Sequence, residues 1–142
     1  MRVLILCTGY SARSQMAEGL LRFDGGPKYE VFSAGTCPSH VRPEAIEVMR
    51  EIGIDISGHR AKSVDEFAGQ YFDYVITVCD NAKQSCPIFP AKTKRIHWSI
   101  QDPAMVQGSE RERLAAFRRT RDDLRARLQT FTHGEVEKPC RR

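Results

Sequence analysis

Val3-Leu4-Ile5-Leu6-Cys7-Thr8-Gly9-Tyr10-Ser11-Ala12-Arg13-Ser14 reads as a strand, a loop and the start of a helix. Val3 to Leu6 is a continuous apolar run, the pattern of a strand buried on both faces. Gln15 to Phe23 follows, with Met16, Ala17, Leu20 and Leu21 at helical period. Between strand and helix lie a cysteine, five residues, then arginine and serine. Such a loop suits a tetrahedral oxyanion. Its backbone N–H groups, from Thr8, Gly9, Tyr10, Ser11, Ala12, Arg13 and Ser14, converge on one point. The positive end of the following helix reinforces them. Arg13 adds a planar fork that grips two oxygens. Cys7 sits at the base of the cradle, where positive potential favours thiolate over thiol, and the Ser14 hydroxyl is placed to stabilise that thiolate. A thiolate held against a bound oxyanion is a nucleophile aimed at its central atom. The bland alternative for Cys7 is a small buried residue ending a strand. The Arg13-Ser14 pair and the strand-to-helix position argue against it.

Working outward, strand and helix signals alternate. Gly25-Gly26-Pro27 stops the first helix, and Val31 to Ala34 is a second strand. Pro43 opens a second helix and Gly53 stops it, with Ala45, Val48, Met49 and Ile52 on one face. Ser63-x-x-Glu66 is a capping box, predicting a short helix with Val64, Phe67, Ala68 and Tyr71 together. Tyr74 to Val78 and Arg95 to Trp98 are further strands. Ser109-x-x-Glu112 caps a last helix carrying Leu114, Phe117, Leu124, Leu128 and Phe131 on one side. The order predicts an α/β fold: a single three-layer domain with a four-stranded parallel sheet flanked by helices. The domain is expected over residues 1–132, with a polar tail over 133–142. In open sheets of this kind, ligands bind beyond the carboxyl ends of the strands. Cys7, Cys79 and the stretch from Trp98 to Asp102 each follow a strand. Three reactive groups are thus delivered to one sheet edge.

The chain has 142 residues, which suits one domain, and a formal charge of only +4. Arginines crowd the last helix, but acids are interspersed, and no aromatic-lined basic stripe marks a nucleic-acid surface. Those arginines read as a solvated helix face. No apolar run spans a bilayer, and the N-terminal one is too short for a signal peptide, so neither membrane nor nucleic acid is expected as a partner. A cytoplasmic location follows. The cysteines number five, an odd count without any C-x-x-C pair. That points to reactive thiols rather than a disulfide framework or a zinc knuckle.

Asp102-Pro103 alone is an ordinary turn dipeptide. Beside a thiolate attacking an oxyanion, Asp102 supplies the acid that protonates the departing oxygen. Cys79 and Cys86 enclose six polar or small residues. They are two unrelated cysteines, ligands of a metal without a partner motif, or a mobile dithiol. In the dithiol reading Cys79 attacks modified Cys7, and Cys86 then attacks Cys79, by stepwise thiolate exchange. Cys37 and Cys140 read as incidental thiols. The histidines show no ligand spacing, and His97 is expected to pack beside Trp98.

Cys7-x5-Arg13-Ser14 with Gln15-Met16-Ala17-Glu18 resembles the low-molecular-weight tyrosine phosphatases, and more closely the thioredoxin-coupled arsenate reductases of that superfamily. Ser33-Ala34-Gly35-Thr36, Gly53-Ile54-Asp55-Ile56-Ser57, Val78-Cys79-Asp80-Asn81-Ala82, Cys86-Pro87 and the stretch from His97 to Pro103 carry the likeness across nearly the whole chain. The resemblance implies arsenate (phosphate and sulfate being analogues) bound in the Cys7–Ser14 loop. It implies a catalytic set of Cys7, Arg13, Cys79, Cys86 and Asp102, a Cys7–Cys79 disulfide resolved to Cys79–Cys86, and thioredoxin as the reductant. No cofactor is implied, and a monomer is expected. Family loops carry Asn where this chain has Tyr10. Some members bind potassium beside the loop, at places matched here by Tyr10, Arg60 and Lys62. Cationic side chains exclude potassium there, so no metal is expected. Two other functions compete: a tyrosine phosphatase using Cys7, Arg13 and Asp102, and a non-catalytic oxyanion-binding or redox-sensing protein. Against the phosphatase, Ala104-Met105 stand where phosphatases place tyrosines for an aromatic substrate.

Overall fold

A computed structural model describes residues 1–7, 12–35, 43–58, 64–67, 69–78, 93–100, 103 and 107–137. The strands are β1 (Arg2–Cys7), β2 (Glu30–Gly35), β3 (Tyr74–Thr77) and β4 (Lys94–His97). All pair in parallel, in the order β2-β1-β3-β4. The predicted four-stranded parallel sheet is therefore present. Central β1 is buried from Val3 to Cys7 without exposure, which explains its unbroken apolar sequence.

The helices are α1 (Ala12–Gly25), α2 (Pro43–Arg50) and α3 (Glu110–Glu137), and they pack on one another. The register places Val3, Val31 and Tyr74 on one sheet face and Leu4, Phe32 and Val75 on the other. The Tyr74 ring meets Phe131 of α3 edge-on at 4.9 Å, so α3 covers the first face. Phe32 joins Phe67 and Phe72 on the opposite face. The Arg2 guanidinium lies 5.0 Å and 4.8 Å from the Phe32 and Phe72 ring centroids, a cation–π lid over that cluster.

Local chemistry sets the element ends. At the end of α2, Ile54 N–H donates to Met49 O at 3.1 Å and Gly53 N–H to Arg50 O at 3.0 Å. With Gly53 at φ 81°, this is a Schellman stop that only glycine enters without strain. The second capping box forms as predicted: Ser109 N–H donates to Glu112 Oε1 at 2.9 Å, and Glu112 N–H to Ser109 Oγ at 3.2 Å. The first predicts too much. Val64–Phe67 is a single 3₁₀ turn, because Gly69 reverses the chain at φ 83° so that Phe72 reaches the core. Tyr71 is left 42% exposed rather than sharing a face with Phe67. Ser63 and Ala68 lie outside the described residues. Helix α3 continues through Glu137, five residues into the stretch expected as a tail.

The last helix is not simply a solvated basic face. Arg113 approaches Glu44, Arg118 and Arg121 reach Glu51, and Arg125 reaches Asp24. Arg121 also donates to Val48 O at 2.8 Å. These arginines form a seam onto α1 and α2, whose acids lie far away in sequence.

Candidate active site

The order of the sheet reverses at β1: the chain moves first to β2 on one side, then to β3 on the other. In open α/β sheets that switch point is where ligands bind, beyond the strand ends. Cys7 is the last residue of β1 and is fully buried as a reduced thiol. Its Sγ lies 3.0 Å from Ser14 Oγ, in the first turn of α1. Once Cys7 is a thiolate, the Ser14 hydroxyl donates to it. The two side chains meet, with the Cys7 thiol as the donor here.

Arg13, 6% exposed, is held across the site: its Nη1 donates to Ile100 O at 2.8 Å. Ile100 sits beyond the end of β4, yet the ladder continues to it. Val78 N–H donates to Leu6 O at 2.9 Å, Trp98 N–H to Thr77 O at 2.9 Å, and Ile100 N–H to Val78 O at 3.3 Å. The strand ends that precede Cys7, Cys79 and Asp102 are therefore tied together. Thr8, Gly9, Tyr10, Ser11, Cys79, Cys86 and Asp102 lie outside the described residues, as do Cys37, Arg60, Lys62 and Cys140. Ala12 is described only as the first residue of α1.

Where α1 packs on β2 sits a polar group that the sequence reading did not assign. Glu18, 4% exposed, accepts from Ser33 Oγ and, at 2.8 Å, from Arg22 Nε. Arg22 Nη2 also donates to Val31 O at 2.6 Å. The pair joins α1 to β2 beneath the site. A buried carboxylate survives only when its acceptors are filled, and serine and arginine fill them. The available signal was a lone serine in the apolar run of β2 and a glutamate among Met16, Ala17, Leu20 and Leu21. His97 was expected beside Trp98. Its Nδ1 lies 2.7 Å from Thr77 Oγ1 on the neighbouring strand. Among the described residues no cluster of His, Cys, Asp or Glu is arranged to hold a metal, and no helix is long and apolar enough to cross a membrane.

A profile described as low molecular weight phosphotyrosine protein phosphatase matches residues 2–141. The chain belongs to that family. It is an enzyme fold seen in arsenate reductases as well as phosphatases. The arsenate reductase of Halalkalibacterium halodurans is 43% identical over 129 residues, covering 91% of this chain and 93% of that one. A solved arsenate reductase in the oxidized state superposes with a TM-score of 0.80 at 31% identity, covering 93% of this chain and 96% of the other. Another, in the phosphate binding state, gives 0.75 at 31% identity over the same shares.

Proposed function

We propose that this protein reduces arsenate to arsenite through Cys7, Cys79 and Cys86 and is recycled by thioredoxin. The observation that carries the reading is the buried Cys7 thiol set against Ser14 at the switch point. The extended likeness to arsenate reductases supports the substrate.

Arsenate enters the loop of residues 8–14, where backbone N–H groups and Arg13 neutralise its charge. The Cys7 thiolate attacks arsenic, forming an S–As bond while an oxygen leaves, protonated by Asp102. The Cys79 thiolate then attacks the Cys7 sulfur. An S–S bond forms, the S–As electron pair passes to arsenic, and arsenite departs. Two thiolates have lost two electrons and As(V) has become As(III). Cys86 attacks the Cys79 sulfur, freeing the Cys7 thiolate and leaving Cys79–Cys86. The dithiol of thioredoxin reduces that disulfide. Such a cycle belongs in a reducing compartment, so we place it in the cytoplasm, acting as a monomer without a resident metal.

The test is arsenate-dependent NADPH oxidation with thioredoxin and thioredoxin reductase. Wild type is expected to turn over steadily. Cys86→Ala is expected to release at most one arsenite per enzyme and to trap Cys7–Cys79. Absence of wild-type turnover, or full activity in the variant, overturns the relay. A second reading rests on the family's own description: Cys7, Arg13 and Asp102 hydrolyse a phosphate monoester through phosphocysteine. Steady hydrolysis of an aryl phosphate without arsenate turnover would favour it.

A further inference from the structure

Three hydrogen bonds and one stretch of chain close a ring at the carboxyl edge of the sheet. Leu6 O accepts from Val78 N, Val78 O accepts from Ile100 N, and Ile100 O accepts from Arg13 Nη1. The chain from Arg13 back to Leu6 completes it. Each main-chain partner stands within two residues of a group assigned to the chemistry: Leu6 precedes Cys7, Val78 precedes Cys79, and Ile100 lies two before Asp102.

We propose that the main-chain carbonyl of Ile100 is a positioning group that orients the Arg13 guanidinium for the oxyanion. The inference rests on residues 7–14 being an oxyanion loop. A guanidinium is a rigid plane on a long, rotamer-rich stem. Left to itself it must be ordered at the moment of binding, and that ordering weakens affinity. Here one nitrogen of the plane is tied to a main-chain oxygen. The bond at Nη1 is charge-assisted and short. Its acceptor cannot wander, because the Ile100 side chain is 5% exposed and packed in the core, and its N–H is tied to Val78. The carbonyl also spreads part of the guanidinium's charge onto protein.

The experiment measures inorganic phosphate binding by phosphorus NMR line broadening, which registers millimolar affinities. The first variant replaces the Ile100–Gln101 amide by an ester, through the α-hydroxy counterpart of Gln101. An ester carbonyl is a weaker acceptor, and every side chain stays in place. The second variant is Ile100→Ala, with Ile100→Val as the conservative control. Each is made in the Arg13 protein and in Arg13→Lys. Losing the aim of a charge-assisted contact is expected to raise the phosphate Kd about tenfold in the Arg13 protein, and less than twofold in Arg13→Lys. Ile100→Val is expected to match wild type. In turnover, the arsenate KM is expected to rise with little change in kcat. Equal losses in both backgrounds, or none in either, overturn the inference. Failure of wild type to bind phosphate, or no weakening in Arg13→Lys, overturns the loop reading and the inference with it. If phosphate coupling holds while arsenate turnover is absent, the proposed reaction fails and the role of Ile100 stands.

Discussion

Removing one hydroxyl probes the setting of the thiol. Ser14→Ala takes away the group 3.0 Å from Cys7 Sγ and leaves the buried sulfur without that donor. A hydrogen bond to a charged group contributes roughly 1.5–3 kcal/mol, so alkylation of Cys7 by iodoacetamide at pH 6 is expected to slow at least about tenfold. An unchanged rate would mean that Ser14 does not serve the thiolate. Gly19 tests packing in the same helix. In most helices Gly→Ala stabilises by about 1 kcal/mol. Here an added Cβ would stand 2.8 Å from Ile56 Cγ2 and 3.2 Å from Met49 Cε, in a fully buried junction. Overpacking of about 1–3 kcal/mol outweighs the propensity gain. Urea unfolding of Gly19→Ala is expected to show a net loss, and a net gain would refute the close approach.

At the scale of elements, the arginines of α3 give the molecule an acid-sensitive seam. Glu51, at the end of α2, is held below the usual carboxylate range, first by the hydrogen bond from Arg118, against the opposing effect of burial, and then by Arg121. A carboxyl lowered in the folded state adds stability that is complete above its unfolded pKa, about 4.3 for glutamate. That contribution is lost as pH falls through the folded value. Glu51→Gln is expected to flatten the acid limb of the stability curve below about pH 4.5 and to change it little once pH is below the folded value. Because the pair is partly solvated, the effect at neutral pH is expected near 1 kcal/mol or less. Thermal melts across the pH range read both limbs. This seam was illegible in the sequence. Glu51 and Arg118 are 67 residues apart, and nothing in the alternation of charges along α3 says which arginines turn inward. Local signals fared better. The Ser109–Glu112 box and the Gly53 stop were readable because cap and stop are made within one turn. The helix expected after Ser63 is shorter than its apolar spacing suggested, since Gly69 turns the chain at φ 83°.

For the whole molecule, the parallel sheet and the delivery of Cys7 to its carboxyl edge were legible, because buried parallel strands are written as unbroken apolar runs. The pairing of Glu18 with Ser33 was not, since a helix and a strand meet there only in the folded state. The position of β1 carries a further consequence. It is paired along its length with β2 and, from Val3 to Leu6, with β3, and it has no exposed edge. Amides in such a strand exchange with solvent only when the entire protein opens. Val3 to Leu6 are therefore expected to be the slowest amides by deuterium exchange, slower than those of edge strand β4; fast exchange there would contradict the assigned sheet. Cys7, at the end of that strand, is thus bolted to the least deformable part of the protein.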